Sequence, residues 1–162
     1  MKLAFLLLHD FRFAGWSLED FLRRTHFSKE YCKRLSDRGH DVILYMLHQD
    51  ATSIEIYEQS GFRIKVFPVQ FDFPPLPKFG YSHNLQVNRE LSLDDPDLIH
   101  FNNYYLWSFP YVARWAKQNG KKIVCQYHGA CDVFRPVRKI FVPIYQDIDI
   151  YLVARDDEIG YL

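Results

Sequence analysis

The sequence predicts an α/β domain with a mostly parallel sheet and helices on both faces. Short apolar runs at residues 3–8 (LAFLLL), 42–47 (VILYML) and 123–127 (IVCQY) read as strands buried on both sides. Segments with apolar residues at helical spacing lie between most of these runs. The resulting order is strand-helix-strand, strand-helix, strand-helix-strand-helix-strand, the alternation from which parallel sheets are wound.

Length and composition bound the possibilities. At 162 residues the chain has the size of one domain, without internal repeats or low-complexity stretches. A domain of that size buries roughly 68–70% of the surface its unfolded chain exposes. Hydrophobic residues make up 48% and aromatic residues 17%, which excludes a disordered chain. The 20 Lys and Arg residues balance 20 Asp and Glu residues, so charge gives no reason to expect a nucleic-acid partner. Cys32, Cys125 and Cys131 show no CxxC spacing, and an odd count suits a reducing compartment. The apolar run at 3–8 is too short for a signal segment or a membrane span, and no other run reaches membrane length. The expected setting is the cytoplasm, with any membrane contact peripheral.

The elements follow in chain order. After the first strand, a loop at 9–16 (HDFRFAGW) leads to Ser17, which with Asp20 forms a capping-box start. The helix behind it should bury Leu18, Phe21 and Leu22. A second helix is expected over 25–38, with Phe27, Tyr31, Cys32 and Leu35 at helical spacing and Gly39 ending it. The strand at 42–47 follows. Residues 51–60 are polar and fit either a short helix or an edge strand. Residues 62–69 (FRIKVFPV) alternate and read as a strand near the sheet edge. Residues 70–81 (QFDFPPLPKFGY) exclude helix and central strand by their prolines. That loop either contacts a sugar face, lipid or partner, or is pinned to the body by its own aromatics. A short helix is expected over 82–93, a turn at 95–97 and a strand at 98–101. A helix over 104–118 should turn Tyr111, Val112, Trp115 and Ala116 inward, with Pro110 in or just after its first turns. The strand at 123–127, a helix over 135–146 that Pro143 interrupts, and a strand over 148–154 complete the pattern. The five core strands, 3–8, 42–47, 98–101, 123–127 and 150–153, are all expected to be parallel.

Two histidines stand near strand ends. His128 directly follows the run 123–127 and precedes Gly129; His100 lies in the run 98–101. Ligands of open α/β sheets bind at the carboxyl ends of strands, and an imidazole there can shuttle a proton near neutral pH. The alternative is a loop histidine tied to backbone. Both histidines are expected on one edge of the sheet, with Gly15 nearby. Gly15 can offer its backbone N–H to a phosphate, but GxGxxG is absent, which disfavours a dinucleotide cofactor. A nucleophilic pair of Cys131 with His128 has nothing else in the sequence to support it.

Several pieces together resemble a known family. Leu35-Ser36-Asp37-Arg38-Gly39-His40-Asp41-Val42 is similar to L-x-x-R-G-H-x-V. Gly61-Phe62-Arg63-Ile64 with Pro68 is similar to G-x-x-V and its following proline. Pro96-Asp97-Leu98-Ile99-His100-Phe101-Asn102 is similar to P-D-V-V-H-x-H. The run from Lys122 to His128 resembles the strand that ends in a cleft histidine, and Asp149 to Ala154 the strand after A-D. With the opening strand Met1-Lys2-Leu3-Ala4-Phe5, these span the chain. It resembles the N-terminal domain of family 4 glycosyltransferases, a Rossmann-like three-layer sandwich that forms one half of a GT-B fold. The chain departs from that pattern in holding one first-loop glycine, in Asn102 where the second histidine stands, and in ending without the family's E-x7-E domain.

The resemblance implies sugar transfer from a nucleotide-sugar with retention of anomeric configuration. It implies catalysis at His128, donor contacts at Gly15, His128 and Gly129, and acceptor contacts at His100, Asn102 and Asn103. No metal and no cofactor are expected. The partners would be a nucleotide-sugar donor, held mainly by a C-terminal domain absent from this chain, and a sugar, lipid-linked or protein acceptor. A membrane surface and a second subunit are further partners the resemblance allows. The chain alone is expected to be inactive. Two other readings stay open: a non-catalytic carbohydrate-binding or scaffold domain of the same fold, and a flavodoxin-like nucleotide-binding module. Against the latter, no loop is rich in Ser, Thr or Gly.

Overall fold

A computed structural model describes residues 1–9, 15–71, 83–102, 108–127 and 148–153. Along the chain the elements are β1 (Lys2–Leu7), α1 (Leu18–Arg23), α2 (Phe27–Ser36), β2 (Asp41–His48), β3 (Glu55–Gln59) and β4 (Phe62–Pro68). They continue with α3 (Gln86–Asp94), β5 (Leu98–Asn102), α4 (Phe109–Gln118), β6 (Lys122–Tyr127) and β7 (Ile150–Val153). The strands form one seven-stranded sheet in the order β3-β4-β2-β1-β5-β6-β7. Every neighbouring pair is parallel except β3 with β4. The fold is a Rossmann-like α/β sandwich, and the five expected core strands are present and parallel.

The pleat of β1 divides the core into two layers. Ala4, Leu6 and Leu8 face one side, where Val87 and Leu91 of α3 and Val112 and Ala116 of α4 cover them. Leu3, Phe5 and Leu7 face the other, packed with Leu18 and Phe21 of α1 and Cys32 of α2. Each fully buried leucine or phenylalanine contributes about 1.5–3 kcal/mol, and Leu6, Leu7 and Phe21 are all completely buried.

Local chemistry explains where the elements begin and end. Ser17 Oγ accepts from the Asp20 amide at 3.1 Å and the Asp20 carboxylate accepts from the Ser17 amide at 3.3 Å, the reciprocal cap expected of this sequence. At the far end of α1, Lys29 Nζ donates to the Phe21 and Leu22 carbonyls at 2.8 and 3.0 Å. Segment 51–60 resolves as the edge strand rather than the helix. Ser60 and Gly61 both have positive φ, 51° and 87°, so β3 and β4 join through a two-residue turn with the twist hairpins favour. β4 lies next to this edge strand, as its alternation suggested.

Three expectations shift. α3 begins at Gln86 rather than residue 82: Asn84 Nδ2 donates to the Pro68 carbonyl at 2.7 Å while its Oδ1 accepts from the Gln86 amide at 2.7 Å, which anchors the approach. α4 begins at Phe109, so Pro110 stands in its first turn, where a missing N–H costs nothing. Tyr111, expected inward, is 46% exposed and stacks on His83 at 4.7 Å. The expected helix over 135–146 and residues 72–81 of the aromatic-proline stretch lie outside the described residues. Among the described residues no helix is long and apolar enough to cross a membrane.

A buried ionic cluster fastens α3 to the sheet. Lys65 Nζ lies 3.0 Å from Glu90 Oε2 and 2.6 Å from Asp94 Oδ2, with its side chain 6% exposed. The Tyr45 hydroxyl donates to the same Asp94 oxygen. Burial, and then the Asp94 hydrogen bond, push the Tyr45 hydroxyl far above its ordinary pKa, so it stays a donor. Removing one partner of such a cluster strands the others. Lys65→Met should therefore cost about 3–5 kcal/mol in urea unfolding. A triple replacement with Glu90→Leu and Asp94→Leu should recover most of that loss. A single variant within about 1 kcal/mol of wild type would show that the cluster contributes little.

The start of α2 carries a pH-dependent cap. His26 Nδ1 accepts from the Ser28 amide at 3.3 Å and lies 2.7 Å from the Ser28 hydroxyl. Burial, and secondarily the Lys29 charge, lower its pKa from 6.5 to about 4. A base with a depressed folded pKa stabilises the fold above its unfolded value, and that stability is lost as pH falls from about 6.5 towards 4. Between pH 7 and 4 the wild type should lose about 1–2 kcal/mol more than His26→Asn, a figure reduced for the ring's partial solvation. Thermal melts of both proteins across that range measure it; parallel pH profiles would remove His26 from the linkage.

Candidate functional site

Parallel pairing brings the carboxyl ends of β1, β2, β5 and β6 to one edge of the sheet. In open α/β sheets this is where ligands bind. Residues 16–18, leading into α1, are fastened to the end of β2. The Asp50 carboxylate accepts from the Leu18 amide at 3.1 Å. His48 Nδ1 accepts from the Asp50 amide at 3.1 Å, so its proton is on Nε2, which donates to the Trp16 carbonyl at 3.2 Å. His48 is completely buried. The sequence reading missed both groups; the sole signal was a His-x-Asp directly behind an apolar strand.

Gly15 stands beside this clamp. It is exposed, has φ +64°, and a Cβ built on it would meet nothing within 4 Å. A side chain would fit the space but strain the backbone. The amino end of α1 is a poor place for a phosphate, because Glu19 and Asp20 occupy its first turn and Asp20 already takes the capping amide.

His100 lies farther from the carboxyl end of its strand than the run 98–101 indicated. β5 pairs with β6 through Asn102 and Gln126, so His100 lies within the strand, opposite Val124. It is 6% exposed, and its ring packs 4.6 Å from Phe5 and 5.2 Å from Tyr31. Its Nε2 lies 3.0 Å from Gln126 Oε1. A carboxamide oxygen can only accept, so Nε2 carries the proton and donates. Asn102 ends β5 on the same face as His100, fully buried. Asn103, His128, Gly129 and Cys131 lie outside the described residues.

Gln126 opens onto a cavity of about 370 Å³ between α2 and the sheet, lined by Phe5, Phe27, Glu30, Tyr31, Arg34 and Gln126. Gln126 and the Phe27–Tyr31 pair were read only as strand and helix pattern, since one sequence does not show that a helix and a strand so far apart share a hollow. Chemically the cavity offers aromatic surface, one carboxylate, one guanidinium and one carboxamide. The thiols of Cys32 and Cys125 are buried, which raises their pKa values, so neither serves as a nucleophile. Among the described residues, no group of three His, Cys, Asp or Glu side chains is placed to hold a metal ion.

No curated protein matches the chain in sequence. Among solved structures the chain is similar to OtsA in its apo form, with a TM-score of 0.52 and 13% identity over 93% of this chain and 40% of that one. The likeness is one of fold, and the chain spans about 40% of the length of that structure. A Staphylococcus aureus homoserine dehydrogenase structure at pH 7.0 also matches, with a TM-score of 0.39 and 13% identity over 96% of this chain and 32% of that one, too distant to carry weight. The model of Glycosyltransferase Family 4 matches residues 26–156, from the cap of α2 to beyond β7. On that match across most of the sheet, the chain belongs to Glycosyltransferase Family 4.

Proposed function

We propose that this domain is the acceptor-binding half of a retaining glycosyltransferase and that transfer from a nucleotide-sugar requires a second, donor-binding domain. The observation that carries the reading is the family match over residues 26–156. In this reading His128 acts beside the donor sugar, and Gly15 and Gly129 approach its diphosphate. His100, Asn102 and Asn103 shape the acceptor side. The exposed, left-handed backbone of Gly15 supports the donor contact. The hydrogen bond from His100 to a cavity-lining glutamine supports an acceptor role. Such a reaction asks for oriented hydrogen-bond donors and charge stabilisation more than for a strong nucleophile.

A non-catalytic carbohydrate-binding domain is the second reading, favoured by the single first-loop glycine and by the carboxylates at the start of α1. Supplying a donor domain separates the two, because only the enzyme half would then transfer sugar.

The chain alone should bind nucleotide-sugars no better than millimolar, about 4 kcal/mol, and should transfer nothing. Calorimetric titration with a panel of nucleotide-sugars, followed by a transfer assay on the same sample, measures both. Micromolar donor binding or transfer by this chain alone would overturn the half-enzyme reading. Joined to a donor domain, His128→Ala should lower turnover by about 10²-fold or more without altering the melting temperature. Turnover close to that of the unsubstituted protein would remove His128 from the mechanism.

A further inference from the structure

We propose that the cavity between α2 and β6 seats a neutral sugar, and that His100 is a positioning residue that aims the Gln126 carboxamide into it. This rests on the acceptor reading above and names the residues and the charge class of the ligand.

The His100 ring is held between Phe5 and Tyr31, at 4.6 and 5.2 Å. Its Nε2–H engages Gln126 Oε1 at 3.0 Å. With its oxygen held, the carboxamide turns its NH₂ group away from the imidazole, and Gln126 lines the cavity. Phe27 and Tyr31, one helical turn apart on α2, are 49% and 39% exposed. Aromatic rings left half-open beside polar groups suit a ligand with apolar C–H faces and a rim of hydroxyls, which is the surface of a pyranose. Glu30 can accept from hydroxyls, while Arg34 and Gln126 can donate to them. The carboxylate and guanidinium cancel in charge, which favours a neutral sugar over an anionic one. The volume, about 370 Å³, falls within the roughly 300–1,000 Å³ of small-ligand sites. The neighbouring cleft, which Arg23, Arg24, Lys29 and Glu30 help to line, is only about 140 Å³, below the range of small-ligand sites.

The test uses the full 162-residue chain, labelled for NMR and titrated with methyl glycosides of glucose, galactose and mannose. At least one should give saturable shifts at Tyr31, Arg34 and the Gln126 side-chain amide. Gln126→Leu and Tyr31→Ala should each weaken that binding about tenfold, the loss of one good contact. Tyr31→Phe, which preserves the ring, should bind nearly as the wild type does and guards against a misfolded alanine variant. His100→Phe should abolish the ligand-induced shift of the Gln126 amide and should add nothing in a Gln126→Leu background. Saturable binding that maps elsewhere would overturn this proposal and leave the acceptor reading standing. Absence of binding by every glycoside would overturn the proposal, while the transfer assay with a donor domain would still decide the acceptor reading. Additive effects of His100→Phe and Gln126→Leu would remove the positioning role.

Discussion

Both layers of this domain hang on β1. It is paired on both sides within the parallel core, and its alternate side chains anchor both helical layers. Its two neighbours come from distant parts of the chain, and its register with β2 and β5 sets which residues reach the carboxyl edge. Slipping that register by one residue would exchange the Ala4-Leu6-Leu8 face with the Leu3-Phe5-Leu7 face and empty both cores at once. The sites at the strand ends inherit their precision from this constraint.

Polar groups add what apolar packing leaves undetermined. The Lys65 cluster selects one seat for α3, where leucine against leucine would tolerate several. The His48 and Asp50 clamp does the same for the segment that leads into α1. Between them, a helix and a loop on opposite faces of the sheet are fixed by directional bonds. These are the parts of the fold that hydrophobic pattern describes least.

The fold was legible because buried parallel strands write themselves as short apolar runs, and the runs at 3–8, 42–47 and 123–127 lie where the strands do. Strand ends were less legible. His100 read as closer to the strand end because the apolar run stops at Phe101, yet pairing of Asn102 with Gln126 carries the ladder one residue further. Tyr111 read as inward because it follows a helical period, but stacking on His83 holds it at the surface. The cavity was invisible in the sequence, since its walls come from α2 and β6 and no local pattern links Tyr31 to Gln126. Of the six site residues named from sequence, Gly15, His100 and Asn102 fall in the described part.

The sheet order has a consequence for how the chain folds as it is made. β1 is synthesised before the other strands, but its second neighbour, β5, and the helices α3 and α4 that cover the Ala4-Leu6-Leu8 face come much later. When the β1-β2-β4-β3 half has emerged, it can pair and gain α1 and α2 on one face while Ile43, Tyr45 and Phe67 on the other still face water. Non-local pairing of this kind is slow, and a half-covered sheet is a sticky intermediate. Expression conditions that slow synthesis through residues 86–118 would lengthen the life of that species, so the demand on chaperones falls on the interval before α4 docks rather than on the finished domain.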